Sequence, residues 1–529
     1  MAKFNIFRAR PAGTSPVATA AVPTSVTHEG APGYARDTKS ELFLLAVSNM
    51  GSENTFYEPS GRRDDRYAHL VRKAALEDPE WTARLLQWLR TEANMRTASL
   101  VGAAEFVHAR LAAESDAGVA NRAVIASVLQ RADEPGELLA YWTGQHGRRI
   151  PKPLKRGISD ALGRLYNERA VLKWDSDARG FRMPDVLNLA HPTPAAPWQG
   201  ELFQYVLDHR RSADAAVPAS LRVIAARREL MAWPVEQRRA LFSRPDAADV
   251  LRGAGMTWEA VSGWLQGPMT REVWEALAPS MGYMSLLRNL RNFDETGMSD
   301  EVAAAVAARL ADPGQVARSR QFPFRFLSAH QAAPSLRWGH ALDQALQASL
   351  ANLPALPGRS LILIDTSASM SGGAYSRHSK VTPAMAAAVF GVALGAKGEK
   401  VDVVGFADGT FRHDVPRGAS VLREIDRFLA RIGEVGHGTA IVESLKRSYR
   451  GHDRVFIISD MQTMDGHYGR GVSDVVPRHV PVYGFNLSGY QNAAYATGKA
   501  NRHEFGGLTD ATFRLVPLLE AGRNATWPF

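Results

Sequence analysis

A chain of 529 residues is too long for one hydrophobic core and implies two or three domains. Its 45% hydrophobic and 22% charged residues are ordinary for soluble globular protein, and its net charge of +9 mildly favours a polyanionic partner. The absence of cysteine excludes disulfides, zinc-thiolate sites and cysteine nucleophiles, and with no signal-like or membrane-length apolar run the reading is a cytoplasmic protein with no membrane role.

Residues 1–35 are rich in Pro, Ala, Thr and Gly, lack any helical or strand period, and are predicted to be a flexible arm. From 36 to 352 the pattern is helical almost throughout. Asp78 is placed to cap a helix that Pro79 can enter, with Trp81, Leu85, Trp88 and Leu89 on one face. Arg271 to Phe293 continues in the same way through Trp274, Leu277, Met281, Met284 and Leu287. Ser299 is predicted to cap a helix through Val302, Val306 and Leu310 that Asp312-Pro313 ends. Helices joined by short Pro/Gly loops predict a solenoid of stacked helix pairs.

One stretch of this helical part is strongly basic. His146 to Arg182 carries ten Lys/Arg against four Asp/Glu, net +6 in 37 residues. The predicted helix over 153–167 has Leu154, Ile158, Ala161, Leu162 and Leu165 on its apolar face. Lys155, Arg156 and Arg164 fall off that face and are free to meet phosphate. From charge alone, a solvated face with scattered ion pairs is an equal alternative.

The pattern changes at Leu353-Pro354-Ala355-Leu356-Pro357-Gly358, a linker, after which 358–529 reads as a separate α/β domain. A strand at 361–364, a helix at 382–396, a strand at 401–406, a helix at 419–432 and strands at 455–459 and 481–486 predict a doubly wound, mostly parallel sheet. Asp408-Gly409 before Thr410 to His413 is a hairpin signal and predicts one antiparallel edge strand.

Ligands of open α/β sheets bind beyond the carboxyl ends of the strands. Asp365 follows the first strand in Asp365-Thr366-Ser367-Ala368-Ser369, which sets one carboxylate and two hydroxyls at alternate positions. Thr439 comes just before a helix, and Asp460 ends the strand 455–459. Five hard oxygens on three strand-end loops suit a six-coordinate Mg²⁺ that keeps some water, with Mn²⁺ or Ca²⁺ as alternatives. The arrangement resembles the metal-ion-dependent adhesion site of von Willebrand A domains, with every position filled. That resemblance implies binding rather than turnover, with an open position for a partner's carboxylate or phosphate.

A phosphatase of the haloacid-dehalogenase type also places an aspartate after its first strand, but needs an acid two positions later, where this chain has Ser367. No Gly-rich phosphate loop ending in Gly-Lys-Ser/Thr occurs, and His437 reads as a loop residue rather than a base.

Several segments resemble the Ro autoantigen family. They are Lys155-Arg156-Gly157-Ile158 through Tyr166-Asn167-Glu168, Phe181 to Pro192, Trp274 to Leu277 with Met284 to Leu290, and Phe322-Pro323-Phe324. That family joins a HEAT-like helical ring, the TROVE module, to a von Willebrand A domain in this order, and the chain is similar to its bacterial members. The resemblance implies binding of small non-coding Y RNA on the outer ring surface. It also implies binding of single-stranded ends of misfolded RNA in the ring hole, in RNA quality control without catalysis. An exoribonuclease partner and a monomer that closes its own ring are implied too. Carried over by position, the RNA-binding candidates are Lys152, Lys155, Arg156, Arg164, Arg182 and His191. The alternative is a metal-dependent protein-interaction module with no RNA role.

Overall fold

Helices run from Thr38–Ser48 to Leu336–Ser349 with no strand between them among the described residues, and the α/β pattern opens at Leu356. The structure is a computed structural model and describes residues 12–48, 51–176, 180–376, 379–466 and 471–529. Asp78 caps as predicted: its Oδ1 accepts from Trp81 N at 3.0 Å, and Trp81, Leu85, Trp88 and Leu89 are all buried. Ser299 does not cap through its side chain. Its backbone N–H donates to Glu275 Oε1 at 2.8 Å, on a carboxylate that Arg271 also holds at 2.8 Å. The Arg271–Phe293 stretch is broken into Arg271–Leu277, a 3₁₀ turn at Ala278–Ser280 and Tyr283–Glu295. Pro279 lacks the N–H that a continuous helix would need there.

The strands are β1 (Ser25–Val26), β2 (Pro32–Ala35), β3 (Leu356–Asp365), β4 (Gly398–Phe406), β5 (Thr410–His413), β6 (Arg454–Ser459), β7 (Val482–Asn486), β8 (Asn492–Ala493) and β9 (Arg502–Gly506). Six of them form one sheet in the order β5-β4-β3-β6-β7-β9. All its pairings are parallel except β5 on β4, the antiparallel edge that Asp408-Gly409 predicted. The predicted linker ends inside β3, whose first residues already pair with β4 at Leu356. β3 and β6 lie side by side with Ile364 opposite Ile458, so Asp365 and Ser459–Asp460 leave the sheet together.

The arm predicted to be flexible is corrected for residues 12–35. β1 and β2 form a hairpin, and β2 pairs with β8 of the α/β domain. Arg36 then donates to Glu504 on β9 through Nε at 3.0 Å and Nη2 at 2.6 Å, with both side chains buried. Composition hid this because the arm is held mostly by backbone pairing and polar partners, with Val17 its one large apolar side chain in the core.

The Thr38–Ser48 helix is buried on nearly every face, Leu42 through Ser48 inclusive. It lies between the other helices and β9, and Gly489 lets it approach. Gly489 has φ +63°, and a Cβ there would meet Leu44 O at 2.6 Å. The carboxy-terminal tail returns to the same helices. Trp527 packs on Phe43 and Trp81, each at 5.1 Å between ring centroids, and Phe529 packs on Trp81 at 5.6 Å and Trp88 at 5.8 Å. At the other end, Asp343 Oδ1 accepts from Ser420 Oγ at 2.9 Å and Leu422 N at 3.0 Å. The helical part therefore meets the α/β domain at both of its ends. Trp527→Ala is expected to cost about 2 kcal/mol, read as a lowered midpoint in urea unfolding.

His503 on β9 gives the fold an acid limit. Its ring stacks on Tyr483 at 5.3 Å and its Nδ1 lies 3.0 Å from Ser15 Oγ. Burial pushes its pKa down to about 4. Below the unfolded value near 6.5 the unfolded chain binds a proton that the folded chain refuses, so stability falls as pH drops from 6.5 towards 4. Between pH 7 and pH 5 the loss from this residue is about 2 kcal/mol. His503→Gln should flatten the urea midpoint over that interval by a comparable amount.

Candidate cation site and basic helix face

Asp365, Ser367, Ser369, Thr439 and Asp460 converge beyond the carboxyl ends of β3 and β6, and all five are buried. Asp365 Oδ1 accepts from Ser367 N at 2.9 Å and Oδ2 from Ser459 Oγ at 2.5 Å. Ser367 Oγ and Ser369 Oγ stand 3.2 Å apart. The loop is seated by Ala368 N, which donates to His437 O at 2.8 Å, and that tie brings it against the Thr439 segment. Thr439 precedes the Ile441–Ser448 helix, as predicted, and its carbonyl accepts from Met464 N at 2.9 Å.

Asp460 Oδ1 accepts from Gln462 N at 3.0 Å, whereas Oδ2 is buried with no hydrogen-bond partner. A buried carboxylate oxygen left unpaired is costly unless a positive charge meets it. Both carboxyls are pushed above their ordinary range by burial, and Asp460 further by the charge of Asp365. Two buried carboxylates ringed by hydroxyls, one with a free oxygen, fit a hard divalent cation.

Sequence reasoning missed several residues around these five. Asp408, read there as a hairpin turn, accepts from His437 N at 2.8 Å and Gly438 N at 3.2 Å and so holds the Thr439 loop. Those bonds keep its carboxyl below the usual range. Ser459 orients Asp365, Gln462 orients Asp460, and Tyr57, from the helical part, reaches Ser369 with its hydroxyl. The Tyr57 contact spans more than 300 residues of chain and leaves no local sequence signal. A different cluster, Glu105, His108 and His146, brings three metal-ligating atoms within 4.8 Å of one another. Glu105 there is already engaged by Tyr141 at 2.7 Å, His146 at 2.9 Å and Arg72 at 2.5 Å.

The six basic candidates divide into two groups. Lys152 and Arg156 are exposed on the outer side of the Lys152–Leu165 helix, opposite buried Leu154, Ile158, Ala161 and Leu162, with half-buried Lys155 on the flank of that face. None of the three is in an ion pair among the described residues, and the first turn of the helix holds no acid. The one acid of the helix, Asp160, is taken by Arg122. Gly157 lets the helix lie close on its neighbour, since a Cβ there would stand 2.6 Å from Ile125 Cβ. His191 is exposed in a left-handed turn, φ +46°, at the end of the Met183–Ala190 helix. Arg164 and Arg182 have intramolecular work. Arg164 donates to the carbonyls of Ala126, at 2.5 Å, and Leu129, and Arg182 pairs with Asp175 at 2.6 Å.

The fold is that of a helical ring joined to a von Willebrand A-like domain. Residues 254–338 match the TROVE domain, a stretch that contains Trp274–Leu277, Met284–Leu290 and Phe322–Phe324. The chain is similar to telomerase protein component 1 of Mus musculus and of Rattus norvegicus, 44% identical to each over 66 residues. That stretch is 12% of this chain and 2% of either relative. In three dimensions it resembles the Ro (RSR) protein of Deinococcus radiodurans with a TM-score of 0.61 at 17% identity, over 92% of this chain and 100% of that one. The sequence match is thus to a TROVE-domain segment, and the chain as a whole shares the fold of a Ro protein. Among the described residues no helix is long and apolar enough to cross a membrane.

Proposed function

We propose that the chain is a non-catalytic, cytoplasmic RNA-binding protein that binds a small structured RNA of the Y type on its outer helical surface. Single-stranded ends of misfolded RNA pass into the ring hole, and the protein serves RNA quality control, with an exoribonuclease as the partner that degrades what is rejected. The observation that carries the reading is the outer face of the Lys152–Leu165 helix. Lys152, Lys155 and Arg156 stand there without ion-pair partners among the described residues, at a helix start free of acids. Three such cations release counterions from phosphate, and a helix amino terminus favours the same charge. Arg164 and Arg182 contribute by holding the surface rather than by touching RNA, and His191 offers a ring for stacking. Native gel shifts of a structured small RNA over a salt series test the proposal. Affinity should fall steeply between 50 mM and 200 mM salt, and a flat response would sink it.

The α/β domain is read as a divalent-cation module, Mg²⁺ first and Mn²⁺ or Ca²⁺ as alternatives. The unpaired, buried Oδ2 of Asp460 supports that reading. Ser367 stands where a phosphatase of this topology would need its proton donor, so the cation serves binding. Turnover of phosphate esters that Asp365→Ala abolished would overturn the non-enzymatic reading. The tail contact of Trp527 and Phe529 with the first helices favours a monomer that closes its own ring.

A further inference from the structure

The β1–β2 hairpin ends in a tight turn directly over the cation loops. Thr27 N donates to Ala31 O at 2.8 Å and Gly30 N to Thr27 O at 3.0 Å, while Gly30 takes φ +88°. The turn is fastened to the segment that follows Asp460. Thr27 Oγ1 donates to Thr463 O at 2.6 Å, and His28 N donates to Gln462 Oε1 at 2.9 Å. Gln462 is the residue whose N–H holds Asp460 Oδ1. The His28 ring stacks on Tyr57 at 4.8 Å with 2° between planes.

This framework displays Glu29. The Tyr57 hydroxyl donates to Glu29 Oε1, and the same hydroxyl lies within hydrogen-bonding reach of Ser369. Glu29 is solvent-exposed, yet its charge acts on both Asp365 and Asp460. A third carboxylate whose charge reaches two buried ones is repulsive on its own. It becomes favourable when a divalent cation stands between them.

We propose that Glu29 is an in-chain ligand of the cation held by Asp365, Ser367, Ser369, Thr439 and Asp460. Its carboxylate takes the position that a partner's acidic group would otherwise occupy, so the hairpin caps the site. The inference rests on the cation reading above. It makes the site self-occluded, so that an acidic partner has to displace the hairpin, and the arm becomes a competitor tethered at high effective concentration.

Calorimetric titration of the full chain with Mg²⁺, together with hydrogen–deuterium exchange over residues 25–33, tests it. The wild-type protein should bind Mg²⁺, and exchange in the hairpin should slow when it does. Glu29→Gln preserves size at an exposed position. It should weaken Mg²⁺ about tenfold and lose the slowing, because one anionic ligand is gone. Asp365→Ala should not bind at all. If Glu29→Gln equals the wild type in affinity and in exchange while Asp365→Ala fails to bind, the in-chain ligand is wrong and the cation site stands. If wild type and Asp365→Ala alike show no heat with Mg²⁺, the cation reading falls and this inference with it.

Discussion

Asp460→Asn is expected to raise the thermal stability of the protein in chelator and to abolish its response to Mg²⁺. The reason lies in the two carboxyls at the ends of β3 and β6. Burial lifts both above the ordinary carboxylate range, and for Asp460 the neighbouring Asp365 adds to the shift. Without a cation, the folded chain therefore keeps protons there that the unfolded chain has already released above about pH 4. Stability of the chelated protein falls as pH rises from that value through the raised folded range. An amide at 460 removes one buried charge and the repulsion it causes, so the variant should be flatter with pH and melt higher in chelator. The wild-type protein recovers what it loses when Mg²⁺ replaces the protons. At a hundredfold excess over its dissociation constant the ion contributes about 2.7 kcal/mol, or about 5–10 °C in Tm for a domain of this size. Thermal scans at pH 5 and pH 8, with chelator and with Mg²⁺, read all four quantities. An equal Mg²⁺ shift in Asp460→Asn and wild type would mean that the ion binds elsewhere. Asp365→Ala is the weaker probe of this balance, because it also removes the acceptor of Ser367 N and Ser459 Oγ.

How far these features were legible follows from where their signals reside. The strands β3, β4, β6 and β7 are apolar runs bounded by turn residues, and the Asp-Thr-Ser-Ala-Ser loop is contiguous, so the positions of these strands and of the loop at the end of β3 can be read from sequence. β9 is different. Arg502-His503-Glu504 reads as surface, yet all three are buried. Arg36 answers Glu504, and the carbonyls of Val480 and Val476 answer Arg502. Polar residues satisfied across long chain separations carry no periodicity, and the arm was misread for the same reason. Among the basic candidates, residue type marked all six. Only partner geometry separates the outward Lys152, Lys155 and Arg156 from Arg164 and Arg182, whose guanidinium groups are already engaged.

That division makes the second large effect specific. Replacing Lys152, Lys155 and Arg156 together by Glu should weaken RNA binding about a hundredfold at 0.1 M salt and lower the slope of log affinity against log salt by about three. The side chains lie on the outer side of a helix whose packing comes from Leu154, Ile158 and Leu162, so far-ultraviolet circular dichroism and Tm should stay near the wild type. Arg164, the one cation left on that helix in the variant, stays on the carbonyls of Ala126 and Leu129, so the new acids do not find a free cation on their own helix. Arg164→Ala makes the contrast. Its guanidinium closes the carbonyl end of the Asn121–Val128 helix, and its loss should lower Tm by a few degrees with little change in the salt slope. Outer-face binding also predicts that the triple variant keeps most of its affinity for a single strand entering the ring, since that strand meets other side chains. An equal loss for structured and single-stranded RNA would move both ligands onto this one helix, and no loss for either would remove the helix from the RNA surface.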